Sequence, residues 1–123
     1  YGRTMKVIFG ASELDDKSWV VDFGGLKDFK KWLEGEWDHR MLIASNDPEL
    51  PLFKELHERG IIDLNVMDAS KGYGPGIEAS CKYVYDHLNE IITRESNGRC
   101  WVESVEIWEH ETNSAMYVRP QVK

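Results

Sequence analysis

The residues of this chain whose types could do chemistry are the adjacent pair Asp38-His39 and two distant carboxylates, Glu78 and Glu109. A carboxylate beside an imidazole is a proton-handling pair: the acid orients the ring and supports its charged form near neutral pH. The same dipeptide also fits a solvated helix exit, with Arg40 neutralising Asp38. Glu109 continues the face of Val105 and Ile107 in an alternating run, so it should point inward or into a cleft at a strand end. An unpaired carboxylate is costly there. Either its partner is a ligand with two parallel N–H donors, such as a 2-amino-pyrimidinone edge accepted bidentately, or it turns to solvent or pairs with an Arg or Lys. Glu78 stands at a helix start just after Gly74-Pro75-Gly76, where it either steadies the helix dipole or reaches a ligand from the loop-helix junction.

Other candidates carry less. His57-Glu58 lacks the second histidine of an HExxH motif, and His110 sits between Glu109 and Glu111 at the edge of a turn. No three histidines have a spacing that makes a zinc site by themselves. Cys81 falls in a helical pattern and Cys100 in a strand-like one, without knuckle or redox-pair spacing, and both read as buried free thiols. There is no GxxxxGK[ST], and the glycines of KGYGPG do not form a GxGxxG. Nucleoside triphosphate hydrolysis and dinucleotide binding are therefore disfavoured.

Strands and helices must place these groups. Residues 3 to 11 alternate, with Met5, Val7 and Phe9 on one side, as in a half-exposed strand. Trp19 to Phe23 is a second β-like run, broken by Gly24-Gly25 before Leu26, Phe29 and Leu33 recur at helical spacing to about Glu34. Asn46-Asp47-Pro48 reads as a helix start leading to Leu52, Phe53 and Leu56, closed by Gly60. Ile61 to Met67 is a short strand candidate. DASKGYGPG reads as a loop, with Pro75 opening a helix whose Ile77, Cys81, Val84, Leu88 and Ile91 face the core. Residues 99 to 109 alternate again, with Trp101, Val105 and Ile107 on one face, and 114 to 119 pair with them across a turn. The pattern predicts an α+β fold with a mostly antiparallel sheet.

At 123 residues the chain fits one domain, 1–123, with no internal repeat or linker. Its 22 acidic against 15 basic residues give a net charge of −7, which argues against nucleic-acid partners. No apolar run approaches the roughly 20 residues that span a bilayer, so a soluble, cytoplasmic protein without membrane partners is expected.

In order and spacing, VVDFGGLK (Val20 to Lys27), WDHR, the helix start from Pro75 to Glu78, and VEIWEHETNSAMY resemble the 6-pyruvoyl-tetrahydropterin synthase and 6-carboxytetrahydropterin synthase family. The likeness runs from Tyr1 to Arg119. It implies the tunnelling fold, an antiparallel sheet with helices packed on one face, whose sheets join between subunits into homo-oligomers, commonly hexamers. It implies proton transfer by Asp38 and His39, pterin binding by Glu78, and anchoring of the pterin ring by Glu109, eight residues before Tyr117. It also implies zinc held by three histidines, one in the family's first strand and two in an H-x-H before the second, with a catalytic cysteine close upstream. Those residues are expected upstream of Tyr1, with this chain beginning inside the second strand and lacking the first. The implied function is a 6-carboxytetrahydropterin synthase-like lyase acting on 7,8-dihydroneopterin triphosphate in deazapurine (queuosine-type) synthesis. The pyruvoyl-forming branch and a non-catalytic pterin- or purine-binding subunit are the alternatives. Gly76 stands where the family has threonine, and the acidic surface offers no obvious cations for a triphosphate.

Overall fold

The computed structural model describes residues 3–16, 26–38, 40–110 and 113–121. The run expected at Trp19 to Phe23, and Val20 to Gly25 of the VVDFGGLK motif, lie outside them. In chain order the elements are β1 (Thr4–Ala11), α1 (Leu26–Trp37), β2 (Met41–Ala44), α2 (Leu50–Glu58), β3 (Leu64–Met67), a single 3₁₀ turn (Ala69–Lys71), α3 (Ile77–Glu95), β4 (Cys100–His110) and β5 (Asn113–Val118). β4 lies between β1 and β5 in an antiparallel sheet. β2 and β3 pair in parallel, joined through α2, as a crossover connection requires. The α+β architecture expected from the sequence is the one found.

The core forms where the apolar stripes of α1 and α3 meet one face of this sheet. Phe29 and Leu33 come from α1, Ile77, Cys81, Val84, Tyr85, Leu88 and Ile92 from α3, and Cys100, Val102, Val105 and Ile107 from β4. Val7 and Phe9 of β1 and Tyr117 of β5 pack against the same cluster from the flanking strands. Tyr85 meets Tyr117 at 4.8 Å between ring centroids, which turns the buried stripe of α3 toward β5. Hence Ile92 is buried and Ile91 only partly so, in place of the Ile91 expected from spacing.

Packing and turn chemistry account for the other departures. α1 runs on to Trp37 because that indole packs half-buried beside Tyr83, 6.2 Å away. α2 begins later than Asn46-Asp47-Pro48 suggests: Asp47 accepts the Glu49 N–H at 2.8 Å in a turn of its own, and Pro51 occupies the first helical turn. β2, only MLIA, is too short to show a period, yet it buries Ile43 beside β3, whose Met67 is also buried.

The largest departure is a strand irregularity. Ile8 faces Ser104 but Phe9 faces Val102, so Glu103 is one residue too many on β4. An extra residue reverses the alternation of faces. Val102 and Cys100 therefore join Val105 and Ile107 in the core, while Trp101 turns to the opposite face, contrary to the shared face expected from the sequence. The bulge keeps its backbone groups satisfied: Val102 N–H donates to the Asn89 side chain at 2.8 Å, and the Glu103 carbonyl accepts from Arg119 N–H at 2.8 Å.

Candidate functional site

A second bulge governs Glu109. Trp108 pairs with Ser114 and His110 with Asn113, which leaves Glu109 as the extra residue between them. Bulges re-aim side chains at strand ends. Here the Glu109 carboxylate comes to the end of the sheet, on the side covered by α3, and its side chain stays 31% exposed. Oε1 lies 3.4 Å from Arg3 Nη2, and Oε2 accepts from Asn113 Nδ2 at 3.4 Å. Glu109 thus pairs with a cation. Both contacts are long, and a carboxylate has about four lone-pair positions, so acceptor capacity remains for a ligand.

Nothing in the sequence pattern singles out Arg3. Its side chain is only 10% exposed. Nη2 donates to the Pro75 carbonyl at 2.7 Å, Nη1 donates to Ser80 Oγ at 2.9 Å, and the guanidinium carbon lies 5.7 Å from the Trp37 ring centroid. Arg3 thus ties the start of β1 to the start of α3, the end of β4 and the end of α1. Those three ends carry the expected site residues: Glu78 in the first turn of α3, Glu109 in β4, and Asp38 directly after Trp37. The signal that could have found Arg3 is a lone cation opening an alternating strand whose antiparallel partner ends in a carboxylate.

Glu78 sits exposed in the first turn of α3, where the helix dipole favours its charge. The capping position before α3 is Gly76, which offers no side chain to the helix N–H groups; a Cβ there would lie 3.5 Å from Glu78 Oε2. The loop leading to α3 is pinned by Tyr73, whose hydroxyl donates to Asp86 at 2.8 Å while Lys82 Nζ holds the same carboxylate at 2.7 Å. Burial, with help from Asp86, raises the Tyr73 phenol well above its usual range.

Asp38 is exposed at the exit of α1, its N–H bonded to the Glu34 carbonyl at 2.7 Å. His39 lies outside the described residues. Asn65 of β3 donates to the Glu36 carbonyl at 2.8 Å and to its carboxylate at 3.0 Å, which fixes the exit of α1 against the parallel pair. Arg40 places Nε 3.4 Å from Asp63. The indole N–H of Trp37 is buried without a hydrogen-bond partner among the described residues.

The remaining candidates are structural. Cys81 and Cys100 are buried free thiols, as expected. Cys81 donates to the Ala115 carbonyl at 3.2 Å, and burial, reinforced by the charges of Glu78 and Glu106, pushes its thiol up. His57 accepts the Leu64 N–H at 3.2 Å and turns toward Asp63. His87 stacks among Trp32, Tyr73 and Tyr83. Among the described residues no three His, Cys, Asp or Glu side chains come together as a metal ion requires. These residues do not fit a zinc site. No helix among them is long and apolar enough to cross a membrane.

Comparison with known proteins agrees with this layout. The 6-pyruvoyl tetrahydropterin synthase family model matches residues 1–120. The 6-carboxy-5,6,7,8-tetrahydropterin synthase of Aquifex aeolicus (strain VF5) is 30% identical over 119 residues, 95% of this chain and 71% of that protein. The crystal structure of an uncharacterized protein from Wolinella succinogenes superposes with a TM-score of 0.76 at 20% identity, covering 96% of this chain and 77% of that one, and supports the fold alone. With a family match over nearly its whole length and a relative this similar, the chain belongs to the 6-pyruvoyl tetrahydropterin synthase family.

Proposed function

We propose that this chain carries the pterin-binding and proton-transfer groups of a 6-carboxytetrahydropterin synthase-like lyase. Its substrate is 7,8-dihydroneopterin triphosphate, in a route toward deazapurines of the queuosine type. The observation that carries this reading is Glu109. It is a half-buried carboxylate set on a bulge at the sheet end and held toward the start of α3, within a chain matched to the family over residues 1–120.

Glu109 accepts the 2-amino and ring N–H donors of the pterin as a bidentate pair, and Glu78 adds a second carboxylate from the first turn of α3. His39, supported by Asp38, takes and returns a proton on the pterin side chain near neutral pH. Zinc enters this reading through the family alone. No described residue is assigned to it, and no step above is routed through it.

The test is product formation from 7,8-dihydroneopterin triphosphate by the full-length protein, with the product identified by mass to separate the 6-carboxy from the 6-pyruvoyl branch. His39→Ala is expected to abolish turnover while leaving the affinity for neopterin within about twofold. Glu109→Gln is expected to weaken neopterin binding by roughly tenfold or more, since charge-assisted acceptance becomes mismatched amide contact. Unchanged neopterin affinity in Glu109→Gln would count against the anchor, and unchanged turnover in His39→Ala against the proton pair.

A further inference from the structure

We propose that Arg3 is the positioning residue of the candidate pterin site, holding the Glu109 carboxylate in the orientation that distinguishes a 2-amino group from a carbonyl on the pteridine ring. The proposal rests on the reading of Glu109 as the pterin anchor. It adds which residue confers selectivity on that anchor, and how.

The geometry runs in one direction. Arg3 makes short bonds to the loop before α3 and to α3 itself, 2.7 Å to the Pro75 carbonyl and 2.9 Å to Ser80 Oγ, and reaches Glu109 with the longer 3.4 Å contact. A planar guanidinium fixed by two bonds to a helix start has its remaining N–H directions set. The carboxylate is therefore the adjustable partner and the cation the template. Ser80 is fully buried and Arg3 nearly so, whereas Glu109 is 31% exposed. The buried side of the carboxylate is occupied by the cation, and the open side is left for solvent or ligand.

Glu109 also sits on a bulge, where the ladder does not dictate side-chain direction as it does within a regular strand. Without Arg3 only the long Asn113 contact would orient it among the described residues. A ligand edge with two parallel N–H groups needs the carboxylate plane aligned with it, and a rotated carboxylate accepts from one donor at most. Lysine would keep the charge but not the fork, because an ammonium is a point charge without a fixed plane.

The experiment compares binding of neopterin with binding of the 2,4-dioxopteridine bearing the same side chain, by fluorescence titration, in wild type and Arg3→Lys, with thermal midpoints measured alongside. Wild type is expected to prefer neopterin by roughly tenfold or more, because the dioxo ligand turns a carbonyl toward the carboxylate. Arg3→Lys is expected to bring that preference to within about twofold while the midpoint moves little. A merely structural role weakens both ligands alike and leaves their ratio intact, and that result overturns the proposal. A wild type that binds neopterin without preference, or not at all, overturns the anchoring reading and this inference with it. Should Arg3→Lys fail to fold, Ser80→Ala carries the same test: it removes the 2.9 Å bond from Nη1, one of those that fix the guanidinium plane, and keeps the charge. An unchanged ratio in Ser80→Ala overturns the proposal equally.

Discussion

Trp101 can lie across β1 only because residue 10 has no side chain. A Cβ built on Gly10 would stand 2.5 Å from Trp101 Nε1 and 2.9 Å from Cε2. The indole has little room to give way. Its Nε1 donates to Glu103 at 2.8 Å, and the Arg119 guanidinium lies 4.3 Å over the ring. Gly10→Ala is thus expected to destabilise the chain by about 1–3 kcal/mol, the usual range for overpacking a held site. In a Trp101→Ala background the same change should cost nearly nothing, because the clash has lost its partner. Urea unfolding of the two single variants and the double variant checks this, and equal costs in both backgrounds would refute the contact. At this scale the sequence was half legible. Glu109 stood out because a carboxylate interrupted an apolar alternation. Arg3 did not, because nothing local marks a cation whose partners before α3 and in β4 lie 72 and 106 residues away along the chain.

At the scale of elements, helical periodicity carried further than strand parity. The α3 stripe could be read from spacing because a helix keeps its period, and only Ile91 and Ile92 exchanged roles where Tyr85 and Tyr117 set the facing. In β4 a single extra residue, Glu103, reversed the faces upstream of it, and alternation alone cannot locate such an insertion. The proton chemistry around α3 has its own consequence. Burial raises the Cys81 thiol above its ordinary 9.0, and it likewise raises the Tyr73, Tyr83 and Tyr85 phenols above their ordinary 10.0. In the unfolded chain these groups release protons first. Between the unfolded and folded values the unfolded state therefore binds fewer protons, and stability falls as pH rises. Their contribution is complete below about pH 9 and is lost above it. Thermal midpoints taken from about pH 8 to about pH 11 should decline, and Tyr73→Phe should flatten the decline above about pH 10. A flat profile in the wild type would contradict the burial of these groups.

At the scale of the whole molecule, the sheet is left open among the described residues. β4 is paired on both sides, whereas β5 is paired only with β4 among the described residues. The face of β5 turned away from the helices carries Met116, 52% exposed, and Val118, 55% exposed. An unpaired edge with apolar neighbours invites another strand, and the family resemblance implies sheets that continue between subunits. The net charge of −7 opposes this: like-charged copies repel, and added salt screens that repulsion within roughly 10 Å at 0.1 M. If β5 is the joining edge, sedimentation should give a mass several times that of one chain, with assembly strengthened as ionic strength rises. Val118→Lys places a charge at that edge and is expected to shift the population toward single chains without unfolding them, since the side chain is already mostly in water. If such assembly completes the site, the same variant should also weaken neopterin binding, because β5 is the strand next after Glu109 in the chain. A variant that sediments as single chains yet binds neopterin as tightly as the wild type would show that the Glu109 site is complete within one chain.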